Sequence, residues 1–209
     1  MLLGAGVLVG SLVTDTHPGF DASVVSDLRG TSHSDLTGIM RAITWLGSPL
    51  VLDVVFAVAL LTLLLTRSWR EVLFLALASP GIVLMVQTMK AIVDRTRPSG
   101  VHLSYAAGPS WPSGHASSSA ALFGAIVLIA LGTRTLTHRA ASWAVRILVG
   151  LLLAAIGLSR VYLGVHYPTD VLAAWLLVIV WLTLLERTLG HRWPGTRRGG
   201  PIAARRRAA

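Results

Sequence analysis

Ser159–Asp170, SRVYLGVHYPTD, sets an Arg, a His and an Asp between two apolar runs, about Trp143–Leu158 and Val171–Leu185. Ionisable side chains at the end of a membrane helix are costly unless paired or wetted, so the stretch reads as a functional site flanked by two bilayer spans. The same pattern occurs twice more. Lys90–Pro98, KAIVDRTRP, follows the apolar run Val72–Met89, and Trp111–His115, WPSGH, leads into a run from His115 to about Thr133. The chain is therefore expected to be all-α, a polytopic membrane bundle of about six transmembrane helices.

Composition points the same way. The 209 residues are 54% hydrophobic and 13% charged, with a mean hydropathy of +0.69, too apolar for an ordinary soluble domain. The absence of Cys excludes disulfides, thiolate metal sites and a cysteine nucleophile. A net charge of +9 would suit nucleic acid, but the Lys and Arg residues are not gathered on one basic face, so no nucleic-acid partner is expected.

Two further runs complete the spans. Leu50–Thr66 is interrupted only by Asp53, which should sit in the membrane interface. Leu2–Val13 is shorter than the roughly 20 residues a span needs, and reads as the end of a first membrane helix. Between them Thr14–Ser48 is a polar connection outside the hydrocarbon. Within it Leu36, Ile39, Met40, Ile43 and Leu46 recur at helical spacing, which predicts a short amphipathic helix on the membrane surface or at the bundle mouth. Residues 1–186 form one transmembrane domain, and 187–209, rich in Arg, Gly, Pro and Ala, read as a basic disordered tail.

Six spans place Arg67, Arg70, Arg134, Arg139 and the tail on one side, which the positive-inside rule makes cytoplasmic. The three polar stretches then meet at the opposite, extracytoplasmic face of the cell membrane.

Lys90, Arg97 and Arg160 would bring three cations to that face, a site for a multiply charged oxyanion such as phosphate. Ser113 adds a hydroxyl, Gly114 an amide without a Cβ in the way, and the helix that begins there a set of free N–H groups. His166 and Asp170 are four residues apart, so on a helical turn the carboxylate can hold one ring nitrogen and leave the other free to attack. His115, beside the anion-binding residues, suits protonation of the leaving oxygen. In-line phosphoryl transfer to His166, followed by hydrolysis with water activated by His115, is the chemistry these residues can perform.

Lys90-x6-Arg97-Pro98, Pro112-Ser113-Gly114-His115 and Ser159-Arg160-x5-His166-x3-Asp170 together resemble the three-part signature of type 2 phosphatidic acid phosphatases, membrane lipid phosphatases related to the vanadium haloperoxidases. Every signature position is filled. The resemblance implies a phosphatase/haloperoxidase-like core with His166 as nucleophile, Asp170 as its partner and His115 as acid and base. It implies Lys90, Arg97, Ser113, Gly114 and Arg160 as phosphate ligands, with no cofactor and no metal. The expected activity is hydrolysis of a lipid phosphomonoester or diphosphate of the undecaprenyl diphosphate, phosphatidic acid or phosphatidylglycerol phosphate type. A phosphotransferase with a non-water acceptor and a non-catalytic anion- or lipid-binding membrane protein are the alternatives. Nearby Asp94, Arg95, His102, Tyr105, Tyr162 and Tyr167 are expected to pack, pair locally or face water.

Overall fold

The computed structural model describes residues 2–16, 18–30, 33–133, 135 and 138–189, and every regular element among them is an α-helix. In order these are α1 (Leu2–Thr16), α2 (Pro18–Gly30), α3 (Ser34–Leu46), α4 (Pro49–Leu65), α5 (Trp69–Val93), α6 (Gly114–Gly132), α7 (Arg139–Tyr162) and α8 (Pro168–Leu189). Five stretches are long and apolar enough to cross a bilayer: Ser34–Leu65, which takes in α3 and α4, and each of α5 to α8. The first apolar run forms α1, a helix of 15 residues that falls short of that length and lies along α5 and α8.

Helix α6 sits at the centre because its residues are small. Ala116, Ser117, Ser119, Ala120, Ala121 and Ala125 are buried, and α4, α5, α7 and α8 all pack on it. Small side chains let membrane helices approach closely, where van der Waals contact rather than hydrophobic transfer holds them together. The core around α6 is filled by Phe74, Leu75 and Ile82 of α5 and by Val178 and Leu182 of α8. Gly157 does the same service between α7 and α8: a Cβ there would stand 2.5 Å from the Trp175 ring. Large apolar side chains such as Leu61, Leu84, Leu151 and Leu176 face outward, as they should where the solvent is lipid.

Local chemistry fixes the ends. Ser48 caps α4 through its Oγ, which accepts from Val51 N at 3.5 Å, and Pro49 takes the first helical position. Pro168 opens α8 in the same way, with Asp170 in its first turn. Helix α5 stops at Asp94, which adopts the left-handed conformation (φ 44°, ψ 39°) that Asp tolerates better than most residues.

Two expectations change. The connection between Thr14 and Ser48 is itself largely helical. Its amphipathic part is α3, which packs on α7 and leads directly into α4. Helix α8 continues through Leu189, past the boundary read at residue 187, and residues 190–209 of the Arg-rich tail lie outside the described residues.

The α4–α5 turn and the α6–α7 link lie at one end of the bundle, where Thr66, Ser68, Thr133 and Thr135 line a common cavity. The C-terminal ends of α5 and α7 and the N-terminal ends of α6 and α8 lie at the other, under the loop 94–113. That loop is seated by Leu103 N, which donates to Leu163 O at 3.0 Å, and by Arg41 Nε of α3, which donates to Leu103 O at 2.8 Å.

Candidate active site

Lys90, Arg97, Gly114, His115, Arg160 and His166 line a single cavity of about 610 Å³ beneath the loop 94–113. The structure thus gathers six of the eight sequence-selected residues around one space. The other two stand behind it. Asp170 is fully buried against His166, and Ser113 is fully buried at the start of α6, its N–H donating to Asp170 O at 3.1 Å. The Ser113 hydroxyl has no partner among the described residues. Asp53, expected in the interface, also lines the cavity, from α4.

The three cations are held by neutral acceptors. Lys90 Nζ donates to Pro109 O. Arg97 donates to Gly108 O (2.9 Å), Ala107 O (2.9 Å), Pro109 O (3.2 Å) and Val165 O (2.6 Å). Arg160, in the last turn of α7 and 3% exposed, donates to Thr44 Oγ1 at 2.9 Å, and its Nε has no partner among the described residues. Among the described residues none of the three is paired with a carboxylate at ion-pair distance, so their direct partners are dipoles and their charge remains available to an anion. Burial keeps the Arg97 guanidinium below the usual arginine range, with Asp170 pulling the other way.

The His166 ring is 2% exposed and held at both nitrogens. Asp170 Oδ2 lies 3.2 Å from Nδ1, and Arg97 Nη1 lies 3.2 Å from Nε2. A guanidinium only donates, so Nε2 must be the acceptor and Nδ1–H the donor to the carboxylate. This is the tautomer that presents a lone pair on the cavity side. Burial pushes the imidazole from its ordinary 6.5 down to about 4, against the opposing pull of Asp170, so the ring is neutral near pH 7.

Asp170 is itself fixed by more than histidine. Its Oδ2 also accepts from Tyr167 N at 2.9 Å, and Oδ1 accepts from Arg95 Nη1 at 2.6 Å. Arg95 is the residue that sequence reasoning underrated. It is 5% exposed, lies over the Tyr167 ring at 4.3 Å, and donates through Nη2 to Asp21 Oδ2 of α2 at 2.7 Å. Burial alone would lower its pKa, yet Asp170 and Asp21 together carry it above the ordinary arginine value. No sequence signal marked it: its carboxylate partners lie 74 and 75 residues away, and the exposed, left-handed Asp94 beside it at the end of α5 is visible only in the structure.

His115 lines the cavity from the first turn of α6, whose N–H groups lack helical acceptors and favour negative charge. Among the described residues no group of three or more His, Asp or Glu is disposed to hold a metal ion.

Several known proteins resemble the chain in sequence and fold. The chain is 28% identical to phosphatidylglycerophosphatase B of Bacillus subtilis over 152 residues, 72% of this chain and 74% of that protein. It is 28% identical to an undecaprenyl-diphosphatase of Sulfolobus acidocaldarius over 175 residues, 80% of this chain and 77% of that one. The crystal structure of a transmembrane PAP2-type phosphatidylglycerolphosphate phosphatase from Bacillus subtilis superposes with a TM-score of 0.79 at 25% identity, covering 89% of this chain and 93% of that one. The profile of the PAP2 superfamily matches residues 68–194, more than half of the 209, which takes in all three polar stretches with His115 and His166. A multi-pass membrane protein in architecture and in sequence, the chain belongs to the PAP2 superfamily.

Proposed function

We propose that the protein is an integral-membrane lipid phosphatase that hydrolyses a lipid phosphomonoester or diphosphate through a phosphohistidine on His166. One observation carries the reading. The His166 ring is fixed by a carboxylate at Nδ1, while Nε2 sits on the side of a cavity lined by Lys90, Arg97 and Arg160.

In the first step Arg97 Nη1 turns from Nε2 to a substrate oxygen, and the lone pair so released forms a bond to phosphorus as the bond from phosphorus to the leaving oxygen breaks. That oxygen takes a proton from His115 and departs as a lipid alcohol, or as a lipid monophosphate when the substrate is a diphosphate. His166 keeps its Nδ1 proton, and the positive charge that develops on the ring falls beside Asp170. In the second step His115, now neutral, takes a proton from water as its oxygen attacks phosphorus. The N–P bond breaks and inorganic phosphate leaves. Lys90, Arg97, Arg160 and the Gly114 amide hold the non-bridging oxygens from the cavity wall, where charge stabilisation is expected to contribute most to the rate, and the buried Ser113 hydroxyl, unpartnered among the described residues, is the further ligand that would turn toward them.

The relatives act on phosphatidylglycerophosphate and undecaprenyl diphosphate by name, and both substrate types fit a cavity that offers cations at the membrane face. Arg67 and Arg70 at the far end of the bundle favour an orientation in the cell membrane with the cavity extracytoplasmic. Neither the transferase nor the non-catalytic alternative has a relative in its favour.

The test is phosphate release by purified protein from a prenyl diphosphate, phosphatidic acid and phosphatidylglycerol phosphate, with and without His166→Ala. Activity should fall to background in the variant while its melting temperature in detergent stays within a few degrees. Turnover retained in His166→Ala would refute the nucleophile.

A further inference from the structure

We infer that Asp21, on α2, is a positioning residue for the reaction, acting on His166 through Arg95 and Asp170. The inference rests on the reading of His166 as nucleophile and extends it to a residue 145 positions earlier in the chain (166 − 21).

The chain of contacts is continuous and buried. Asp21 Oδ2 accepts from Arg95 Nη2 at 2.7 Å, Arg95 Nη1 donates to Asp170 Oδ1 at 2.6 Å, and Asp170 Oδ2 faces His166 Nδ1 at 3.2 Å. Asp21 and Asp170 are fully buried and Arg95 nearly so. Thr169 cross-braces them. Its hydroxyl donates to Asp21 Oδ2 and accepts from Arg95 Nη1 at 2.9 Å, and its N–H points to Asp21 Oδ1 at 3.3 Å. Helix α2 is seated for this by Val25, which is buried with Ala116 of α6, Val161 of α7 and Val171 and Ala174 of α8.

Two consequences follow for the reaction. Arg95 alone could rotate about its own stem, but a guanidinium clamped between two carboxylates is fixed in plane, so Asp170 presents Oδ2 to the imidazole at one orientation. The charges also do not cancel. Two carboxylates and one guanidinium leave one negative charge, close to the ring that becomes positive when phosphorus bonds to Nε2. With Asp21 neutral, Arg95 would match Asp170 alone and less of its charge would serve the ring. Asp21 should therefore matter in the transition state and little in substrate binding.

The experiment is a double-mutant cycle between Asp21→Asn and Asp170→Asn in the full-length protein, read as phosphate release from whichever lipid the wild type turns over. Asp21→Asn should lower kcat roughly tenfold with KM within twofold, and should have no further effect once Asp170 is already Asn. An equal loss of kcat in both backgrounds, or a rise in KM without a fall in kcat, would overturn the inference. If Asp21→Asn does not fold, Thr169→Val removes only the shared hydroxyl and carries the same cycle, with a few-fold loss expected in the wild type and none on Asp170→Asn. His166→Ala separates the two readings. Activity surviving that change sinks the nucleophile itself, whereas an inactive His166→Ala with an additive cycle sinks only the role of Asp21.

Discussion

Arg95 and Arg97 are two residues apart and live in opposite worlds. Arg95 is pinned between two buried carboxylates, and its pKa rises above the ordinary arginine value. Arg97 donates to four backbone carbonyls and to a histidine ring, and burial lowers its pKa. A cation matched by anions is spent on structure. One matched only by dipoles still has its charge to offer. Lys90 and Arg160 side with Arg97, since their acceptors are a carbonyl and a hydroxyl. Of these four cations, the partners set three that line the cavity or its wall apart from the one built into the frame.

The sharpest way to break this division is to truncate each arginine in turn. Arg97→Ala should cost 100-fold or more in kcat/KM, the usual scale for removing a donor aimed at developing charge, with melting temperature nearly unchanged. Arg95→Ala strands two buried carboxylates and should cost about 3–5 kcal/mol of stability, read as loss of melting temperature in detergent. Equal effects of the two changes on both readouts would erase the distinction.

His166 stands between the two and gives a pH test. Because its pKa falls from 6.5 unfolded to about 4 folded, the unfolded chain takes up a proton that the native site refuses between those values. This histidine's stabilising share is therefore complete above about pH 6.5, declines as pH drops toward 4, and levels off below. Wild type should lose melting temperature relative to His166→Gln across that window, and parallel curves for the two proteins would contradict a neutral buried ring.

The smallest effect expected is at Thr44. Thr44→Val deletes the hydroxyl that accepts from Arg160, leaving the cation in place but less directed, and should raise KM a few-fold with little change in kcat. A larger fall in kcat than in affinity would move Arg160 out of the binding group.

The parts legible in the sequence were those set by short spacing or composition. His166 and Asp170 pair because they are four apart across a helix start, and the later spans announce themselves as apolar runs with Arg at one end. The Asp21–Arg95 contact joins residues 74 apart. It depends on how α2 seats on α7 and α8, and α2 lies in a polar segment with no strong pattern to point there. The acceptors of Lys90 and Arg97 were hidden for another reason: they are main-chain carbonyls, and every residue has one. The length of α1 shows the limit of the apolar-run rule, since a run can be greasy enough to join the bundle without reaching the length of a span.

The loop 94–113 holds Lys90 and Arg97, two of the cations proposed to bind the anion, through the carbonyls of Ala107, Gly108 and Pro109, not through its side chains. Posture and identity are thereby uncoupled. Tyr105, 88% exposed yet lining the cavity, can be exchanged for another residue without disturbing where the charges point. A fold built this way can retune which lipid headgroup it admits by altering the rim, while the machinery beneath stays as it is.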